Sequence, residues 1–312
     1  RQHREKDFLL VVSIDEPHHP YIAPEAYVQA FQDFLFPVPN AHDPLTDKPN
    51  AQVEWAKHTE HNQSQMVQKD GKSYLRHPHH FACNSFCDSQ VGRVLEVIDA
   101  ETPGALVIHT SDHGDMFGSH RLHGKGPCMY EENVRIPLIV RWPGQAPAGS
   151  VSRAPVSHID LLPTLLDYFG VNVPDLLQGR SLLGQIRDPL LRTNERVFTE
   201  FNRFEIDHDG FGAFAPIRSV FDGRYKLVIS LLDTDELYDL ETDPLEMKNL
   251  ITDPACAAVR HRLLGDIIAW MQRTRDPLRG PHWGRRLWGR IESSTWGGPT
   301  RPRPFDESYF PK

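Results

Sequence analysis

A short segment after an apolar run concentrates the ionisable side chains that could do chemistry. Residues 109–126 read HTSDHGDMFGSHRLHGKG, and they follow the apolar run 105–109. Asp112 and His113 are adjacent there, and the glycine after them permits a sharp turn. A carboxylate and an imidazole that converge in this way can ligate one divalent cation. The alternative interpretation of the pair is a solvated turn at the end of a strand.

The surroundings of this pair favour a site over a simple turn. Lys125 lies between two glycines, so its ammonium can approach a backbone or a ligand closely. Open α/β sheets bind their ligands beyond the carboxyl ends of the strands, which is the position that the pair occupies. The Pro-rich turn 15–24, DEPHHPYIAP, also follows an apolar run and is expected at the same edge.

Apolar runs predict the elements that would hold these side chains. Residues 8–14, FLLVVSI, read as a fully buried central strand of a parallel sheet, and 105–110 and 136–142 are similar runs. The spacing of apolar residues predicts a helix over 81–99. Residues 158–170 are expected to form a second helix that ends at its final glycine.

From residue 196 onward the pattern changes to short apolar runs joined by turns, which predicts a small antiparallel sheet. The runs are 196–201, 217–222, 224–230 and 236–240. An amphipathic helix over 255–275 would cover this sheet. The tail is rich in Trp, Arg, Pro and Gly and lacks periodicity. We expect it to wrap the surface or a neighbouring subunit of a homo-oligomer.

These elements predict an α/β protein with three regions. Residues 1–195 are expected to form the C-terminal part of a large α/β domain, with a mostly parallel sheet flanked by helices. Residues 196–275 would form the smaller α+β subdomain, and 276–312 the extended tail. Because a central strand rarely opens a complete protein, we expect further sequence upstream of 8–14.

Composition argues against several classes of protein. The formal net charge of −8 argues against a non-specific nucleic-acid binder, and no window approaches the roughly 18 apolar residues of a membrane span. The four cysteines lack the density of a disulfide scaffold and the C-x-x-C spacing of a zinc site, which predicts free thiols. Walker A, G-x-S-x-G and strand-linked G-x-G-x-x-G motifs are absent from the sequence.

The motifs together resemble those of the type I sulfatases of the alkaline phosphatase superfamily. The resemblance rests, in chain order, on SDHGDM at 111–116, Lys125, and the segments 134–144, 157–171, 218–228 and 237–250. The segments 15–21, 81–86 and 200–218 are most similar to the bacterial YidJ-like sulfatases. Each motif alone is a weak signal, but the ordered combination is specific and covers most of the chain.

This resemblance implies an alkaline-phosphatase-like fold and a role for each matching residue. Asp112 and His113 would ligate a divalent cation, Ca²⁺, which takes mainly oxygen ligands. Lys125 would contact the sulfate and the bridging ester oxygen. His18 would bind sulfate or protonate the leaving alcohol, although the adjacent His19 could be confused with it.

Further substrate contacts are expected from the surrounding loops. The candidates are Glu16, His120, His123, Asn202, Arg203, His208 and Arg218. For His120 and His123 a place behind the pocket wall is an equal alternative. The two arginines could instead pair with nearby carboxylates for structural reasons. The segment 77–80, HPHH, is interpreted as a surface loop rather than a metal site.

The nucleophile of this family does not accompany the other motifs. Type I sulfatases use a formylglycine made from Cys or Ser in a C/S-x-P/A-x-R setting, which none of the four cysteines has. The resemblance implies that the formylglycine, and the aspartates that complete the metal site, lie in an upstream segment of the same protein. The implied reaction is hydrolysis of a sulfate ester of a small molecule or carbohydrate by metal-assisted attack of the formylglycine hydrate.

Two other functions fit the same residues. A phosphodiesterase or phosphonate monoester hydrolase of the same superfamily shares the Asp-His pair and the downstream lysine, and its substrate also carries one negative charge. A non-catalytic binding protein would keep the fold without the nucleophile. The YidJ-like segments favour the sulfate ester.

Overall fold

The computed structural model describes residues 6–203, 214–286 and 288. The helices in this part of the chain are α1 (Glu25–Ala30), α2 (Asn50–His58), α3 (Pro78–Glu101), α4 (Glu131–Val134), α5 (Leu161–Tyr168), α6 (Leu183–Arg187) and α7 (Ala257–Arg273). The strands are β1 (Phe36–Pro37), β2 (Met66–Lys69), β3 (Lys72–Leu75), β4 (Val107–Thr110), β5 (Leu138–Arg141), β6 (Val197–Arg203), β7 (Phe214–Phe221), β8 (Tyr225–Ser230) and β9 (Glu236–Asp239). None of the described helices is both long and apolar enough to cross a membrane.

The C-terminal sheet has the strands and the covering helix that the sequence predicts. Strands β6 to β9 pair in sequence order, all antiparallel, and the tight connection from β7 to β8 uses Gly223 at φ 99°. Apolar side chains of the sheet, among them Leu227 and Leu237, face Leu263 and Ile267 of α7, and all four are almost completely buried. The sheet and α7 therefore enclose one apolar core.

The large domain differs from the sequence-based prediction at its sheet. Strands β4 and β5 lie in the predicted runs, yet they pair only with each other and are antiparallel, with Val107 opposite Arg141. Residues 8–14 form no strand. None of the strand pairs in the described residues is parallel, since the other small sheet, ordered β1-β3-β2, is antiparallel too. An apolar run becomes a strand only when a partner backbone is available for its hydrogen bonds.

The segment 8–14 and its surroundings leave apolar surface in contact with solvent. Val11 is 76% exposed and Leu10 is 66% exposed, and Val97 of α3 and Ile139 of β5 are more than half exposed as well. The prediction of a fully buried strand at 8–14 is therefore wrong for this structure, which leaves the apolar run exposed and without a strand partner. Exposed apolar patches of this kind are typical of interaction sites and ligand-binding grooves.

The loop between β4 and α4 has a separate apolar anchor. Met116, Leu122 and Cys128 are buried, and they belong to one cluster with Trp55 of α2 and Tyr238 of β9. A loop that carries buried side chains at three points along its length is held in one conformation, unlike an ordinary surface connection.

A buried ion pair joins this region to the C-terminal sheet. The ammonium of Lys226 on β8 lies 2.9 Å from Glu131 Oε1 and 2.8 Å from Glu246 Oε1. Glu246 Oε2 also accepts the backbone N–H of Glu131 at 2.7 Å, which satisfies a free amide at the first residue of α4. Thus α4 is fixed to the sheet by its first turn.

We expect Lys226→Met to destabilise the fold by about 3–5 kcal/mol at neutral pH, because it leaves buried carboxylates without their cation. Burial raises the pKa of Glu246 to about 7. A carboxyl whose pKa is raised on folding binds its proton more tightly in the native state. The loss caused by Lys226→Met should therefore shrink as the pH falls from 8 to 5. Urea unfolding at both pH values measures this.

The matched control for this variant is Lys57→Met. Lys57 pairs with Glu54, but both side chains are more than half exposed. Exposed pairs contribute on the order of 0–1 kcal/mol. Equal losses for the two variants would contradict the importance assigned to the buried pair.

The exposed apolar segment also makes a prediction for the isolated 312-residue chain. We expect the chain to bind the dye 1-anilinonaphthalene-8-sulfonate, and the triple variant Leu10→Ser, Val11→Ser, Val12→Ser to lose at least about half of the dye fluorescence because its apolar patch is removed. Leu190 is 93% exposed but lies away from this segment in sequence, so Leu190→Ser is the control and should change little. Unchanged fluorescence in the triple variant would show that the dye binds elsewhere.

Candidate active site

Several of the predicted chemical groups line an open cleft of about 5170 Å³. Segment 8–14, the turn that follows it and the end of β4 contribute to its walls. Of the predicted site residues, the cleft is lined by Glu16, His18, Asp112, His113, His123 and Lys125. That the Asp-His pair, the lysine and the Pro-flanked histidine act on one ligand stays a prediction.

The two candidate metal ligands lie side by side after β4. Asp112 Oδ2 and His113 Nε2 are 3.3 Å apart. The Nδ1–H of His113 donates to the carbonyl of Gly114 at 2.8 Å, which leaves the Nε2 lone pair free for a cation. Desolvation raises the pKa of Asp112, but the hydrogen bond from the His113 backbone and the charge of His113 lower it overall. The pair therefore presents a carboxylate and an imidazole nitrogen to the cleft.

Gly114 makes the turn behind this pair possible. Its backbone N–H donates to the carbonyl of Asn133 at 2.9 Å. A Cβ atom at this position would lie 1.9 Å from the carbonyl oxygen of Glu132, a distance that no side chain tolerates. The glycine is required because the turn lies directly against the backbone of α4.

Lys125 is exposed on the same loop, and the residue before it is tightly held. Gly124 N–H donates to Asp115 Oδ1 at 3.0 Å, and the Gly124 carbonyl accepts from Met116 N–H at 2.9 Å. Burial raises the pKa of Asp115, even though backbone amides and the nearby charges of His113 and Lys125 oppose that shift. Asp115 was not among the predicted site residues, although its place in D-H-G-D was a usable signal.

The Pro-rich turn places both of its histidines in the cleft. The rings of His18 and His19 stack with centroids 4.2 Å apart. His18 Nδ1 lies 2.8 Å from the carbonyl of His19, so that nitrogen donates and Nε2 stays available to a ligand. Glu16 lies on the cleft wall beside them. When Nε2 is protonated as well, it is the ring donor that His18 would offer to an anion.

His120 does not fit its predicted place in contact with substrate. Its side chain is completely buried, its ring stacks on Tyr130 at 3.8 Å, and its Nδ1–H donates to Asp43 at 2.5 Å. Burial raises the pKa of Asp43, but this hydrogen bond and the charge of Lys48 hold it below its usual value. His120 therefore lies behind the cleft wall, which was the alternative to substrate contact in the sequence analysis. His123 is also buried but does line the cleft.

Arg218 likewise lies in the interior and not on the cleft. Its guanidinium forms two hydrogen bonds with the buried Asp276, at 2.6 and 3.1 Å, and donates to Asn202 Oδ1 at 2.8 Å. A guanidinium with these partners has no free donor directed at the cleft. The predicted substrate contact of Arg218 is replaced by a structural ion pair. Asn202, another predicted substrate contact, accepts a hydrogen bond from Arg218. Arg203 lies in β6, and His208 lies outside the described residues.

The arrangement fits part of a cation site. Within the described residues, no cluster of three or more His, Cys, Asp or Glu side chains could hold a metal ion. Asp112 and His113 supply two ligands whose donor atoms are adjacent, whereas Ca²⁺ takes about six to eight. The pair would therefore hold a cation together with ligands from other residues or from substrate.

The structural neighbours show an alkaline-phosphatase-like fold. The chain belongs to the sulfatase family, because the family model "Sulfatase" matches residues 1–171. A second model, "N-sulphoglucosamine sulphohydrolase, C-terminal", matches residues 118–273. Sulfatases in general use a metal and a formylglycine.

Similar proteins extend this result. The "Uncharacterized sulfatase YidJ" of Escherichia coli strain K12 is 41% identical over 309 residues, which are 98% of this chain and 59% of that protein. A structure in complex with its substrate D-glucosamine-2-N,6-O-disulfate has a TM-score of 0.72 at 21% identity and covers 85% of this chain and 65% of that one. A phosphonate monoester hydrolase from Silicibacter pomeroyi has a TM-score of 0.56 at 29% identity over 63% of this chain and 41% of its own. The chain thus spans less than two thirds of these relatives.

Replacing Gly114 tests the close approach between the candidate ligand pair and α4. We expect Gly114→Ala to destabilise the fold by about 1–3 kcal/mol, because the new methyl group overlaps a backbone oxygen. It should also weaken the binding of a divalent cation by the protein that carries this chain, as followed by isothermal titration calorimetry. Gly104→Ala is the control, since a Cβ there meets no atom within 4 Å. Full cation affinity in Gly114→Ala would contradict the assignment of the ligand pair.

Proposed function

We propose that the protein carrying this chain hydrolyses a sulfate ester of a carbohydrate. The observation that carries the proposal is the common cleft shared by the Asp112–His113 pair, Lys125 and His18. A sulfate ester presents a compact anion, and a lysine opposite a bound cation would hold it from two sides. Membership of the sulfatase family supports the same reaction.

A sulfated sugar is the substrate class that the relatives support. The neighbour with the TM-score of 0.72 was solved with a disulfated glucosamine as its substrate, and the second family model is named after a sulphoglucosamine hydrolase. The phosphonate monoester hydrolase is the more distant structural neighbour. We therefore favour a sulfate ester over a phosphonate ester as the substrate.

Each cleft residue has a task in this reaction. Asp112 and His113 would hold Ca²⁺, which would supply Lewis-acid stabilisation of the sulfate oxygens. Lys125 would contact a sulfate oxygen and the ester oxygen, where negative charge grows as the bond to sulfur breaks. His18 Nε2 would donate a proton to the departing alcohol or bind the sulfate. Glu16 and His123 lie on the cleft wall, where they would contact the sugar.

The nucleophile belongs to a segment outside these residues, in the same protein or in another chain. The four cysteines lack the sequence setting of a formylglycine precursor. The pKa of the Cys128 thiol is raised by complete burial, and those of Cys83, Cys87 and Cys256 are raised as well, so none is an activated thiolate. This supports a partner segment that brings the nucleophile to the cleft.

The natural full-length protein, assayed with 4-nitrophenyl sulfate, glucosamine 6-sulfate and a phenyl phosphonate monoester, tests the proposal. We expect turnover of the sulfates, and a loss in kcat of about 10²–10³-fold for Lys125→Ala because a transition-state contact is removed. His18→Ala should lower kcat by about 10²-fold.

His19→Ala is the matched control, because His19 is adjacent to His18, stacked on it and lines the same cleft, but is not the residue to which the proton transfer is assigned. It should change kcat far less than His18→Ala, and the reverse order would exchange their roles. Turnover of the phosphonate alone would establish the phosphonate hydrolase instead. Absence of all turnover would favour a binding protein.

A further inference from the structure

Asn133 occupies a position that links the two halves of the candidate site. It lies in α4, is 9% exposed and is one of the residues that line the cleft. Its backbone carbonyl accepts the N–H of Gly114, directly after the candidate ligand pair. Its side-chain amide points the other way, to the loop that carries Lys125.

The side-chain amide holds the far side of the lysine loop. Asn133 Nδ2 donates to the carbonyl of Cys128 at 3.0 Å and to that of Gly126 at 3.4 Å. Gly126 directly follows Lys125 in the chain. Gly124 directly precedes Lys125 and forms backbone hydrogen bonds with the Asp115 side chain and with the Met116 N–H. The backbone of the lysine is therefore fixed on both flanks.

We propose that Asn133 is a positioning residue that sets the separation between the Asp112–His113 pair and Lys125. This inference rests on the proposed function, in which the cation and the ammonium act on one sulfate group. The same residue bonds to both arms of the loop, so a shift of α4 moves both arms together. Their mutual distance is kept, which is what a two-sided contact on a small anion requires.

The chemistry of this position explains why asparagine is needed. The position requires a short side chain with two N–H donors, because two backbone carbonyls converge on it. Aspartate has the same shape but no donor, and it would bring a negative charge towards those oxygens. Leucine has a similar size and neither donor nor charge. These two substitutions therefore separate loss of the hydrogen bonds from introduction of a charge.

The test is a double-mutant cycle in the natural full-length protein. We expect Asn133→Asp and Asn133→Leu each to lower kcat/KM for 4-nitrophenyl sulfate by about 10–100-fold, since a displacement of about 1 Å can cost that much. In the Lys125→Ala background the same substitutions should cost less than about threefold, because the group that they displace is already gone. Ca²⁺ affinity should change little, because the bond from Gly114 uses the backbone of Asn133.

Asn249→Asp is the matched control for a purely structural loss. Asn249 Nδ2 also donates to two backbone carbonyls, those of Asp47 and Asp235, at 2.8 and 3.0 Å. Asn249 is absent from the residues that line the cleft. The variant should lower the melting temperature as Asn133→Asp does, yet keep kcat/KM within about threefold of the wild type.

The outcomes separate this inference from the function on which it rests. A wild-type protein without sulfatase turnover would remove the proposed function. An active wild type with an unaffected Lys125→Ala variant would remove the role of the lysine. In a third outcome, Lys125→Ala lowers kcat/KM, and the Asn133 substitutions lower it by the same factor in the Lys125→Ala background as in the wild type. That outcome would overturn only the positioning role of Asn133.

Discussion

The ammonium of Lys226, buried between the carboxylates of Glu131 and Glu246, is the interaction on which the candidate site depends. It fixes the first turn of α4, and α4 in turn holds the ligand turn at Gly114. A buried ion pair adds little net stability compared with a well-packed apolar pair, but either charge left alone is costly. The contact therefore fixes α4 in one position on the sheet, and the position of α4 fixes the part of the cleft wall around Gly114.

The loop also resolves an electrostatic conflict. The chain carries a formal net charge of −8, which repels a sulfate group at long range. Within the loop, Asp115 Oδ1 accepts the amides of Phe117 and Gly124. The same bonds fold the loop that presents Lys125. The carboxylate of Asp115 thus helps to position the ammonium of Lys125.

Local patterns in the sequence predicted the parts of the structure that depend on near neighbours. The helix expected over 81–99 is the greater part of α3, and the turn at Gly223 closes β7 and β8 as expected. The segment 8–14 failed to form a strand, because an apolar run specifies burial but not the partner that provides it.

The side chains of the candidate site show the same limit. The Asp-His pair and the lysine were recognisable because their spacing is local. The role of Arg218 was not, since its partner Asp276 lies 58 residues away in the chain. Asn133 carries no motif, and the importance proposed for it comes from contacts with both arms of one loop, which form only in the folded protein. A lysine inside the apolar run of β8 was a signal of a buried ion pair that the sequence did offer.

The long separation between Glu131 and Glu246 also sets an order of events during synthesis. The carboxylate that completes the first turn of α4 is encoded 115 residues after the amide that it accepts. At about 5–20 residues per second, the ribosome needs roughly 6–23 s to reach it. During that interval the nascent loop with Asp112 and Lys125 has no fixed platform. This loop is therefore accessible to chaperones and proteases until the C-terminal sheet has folded.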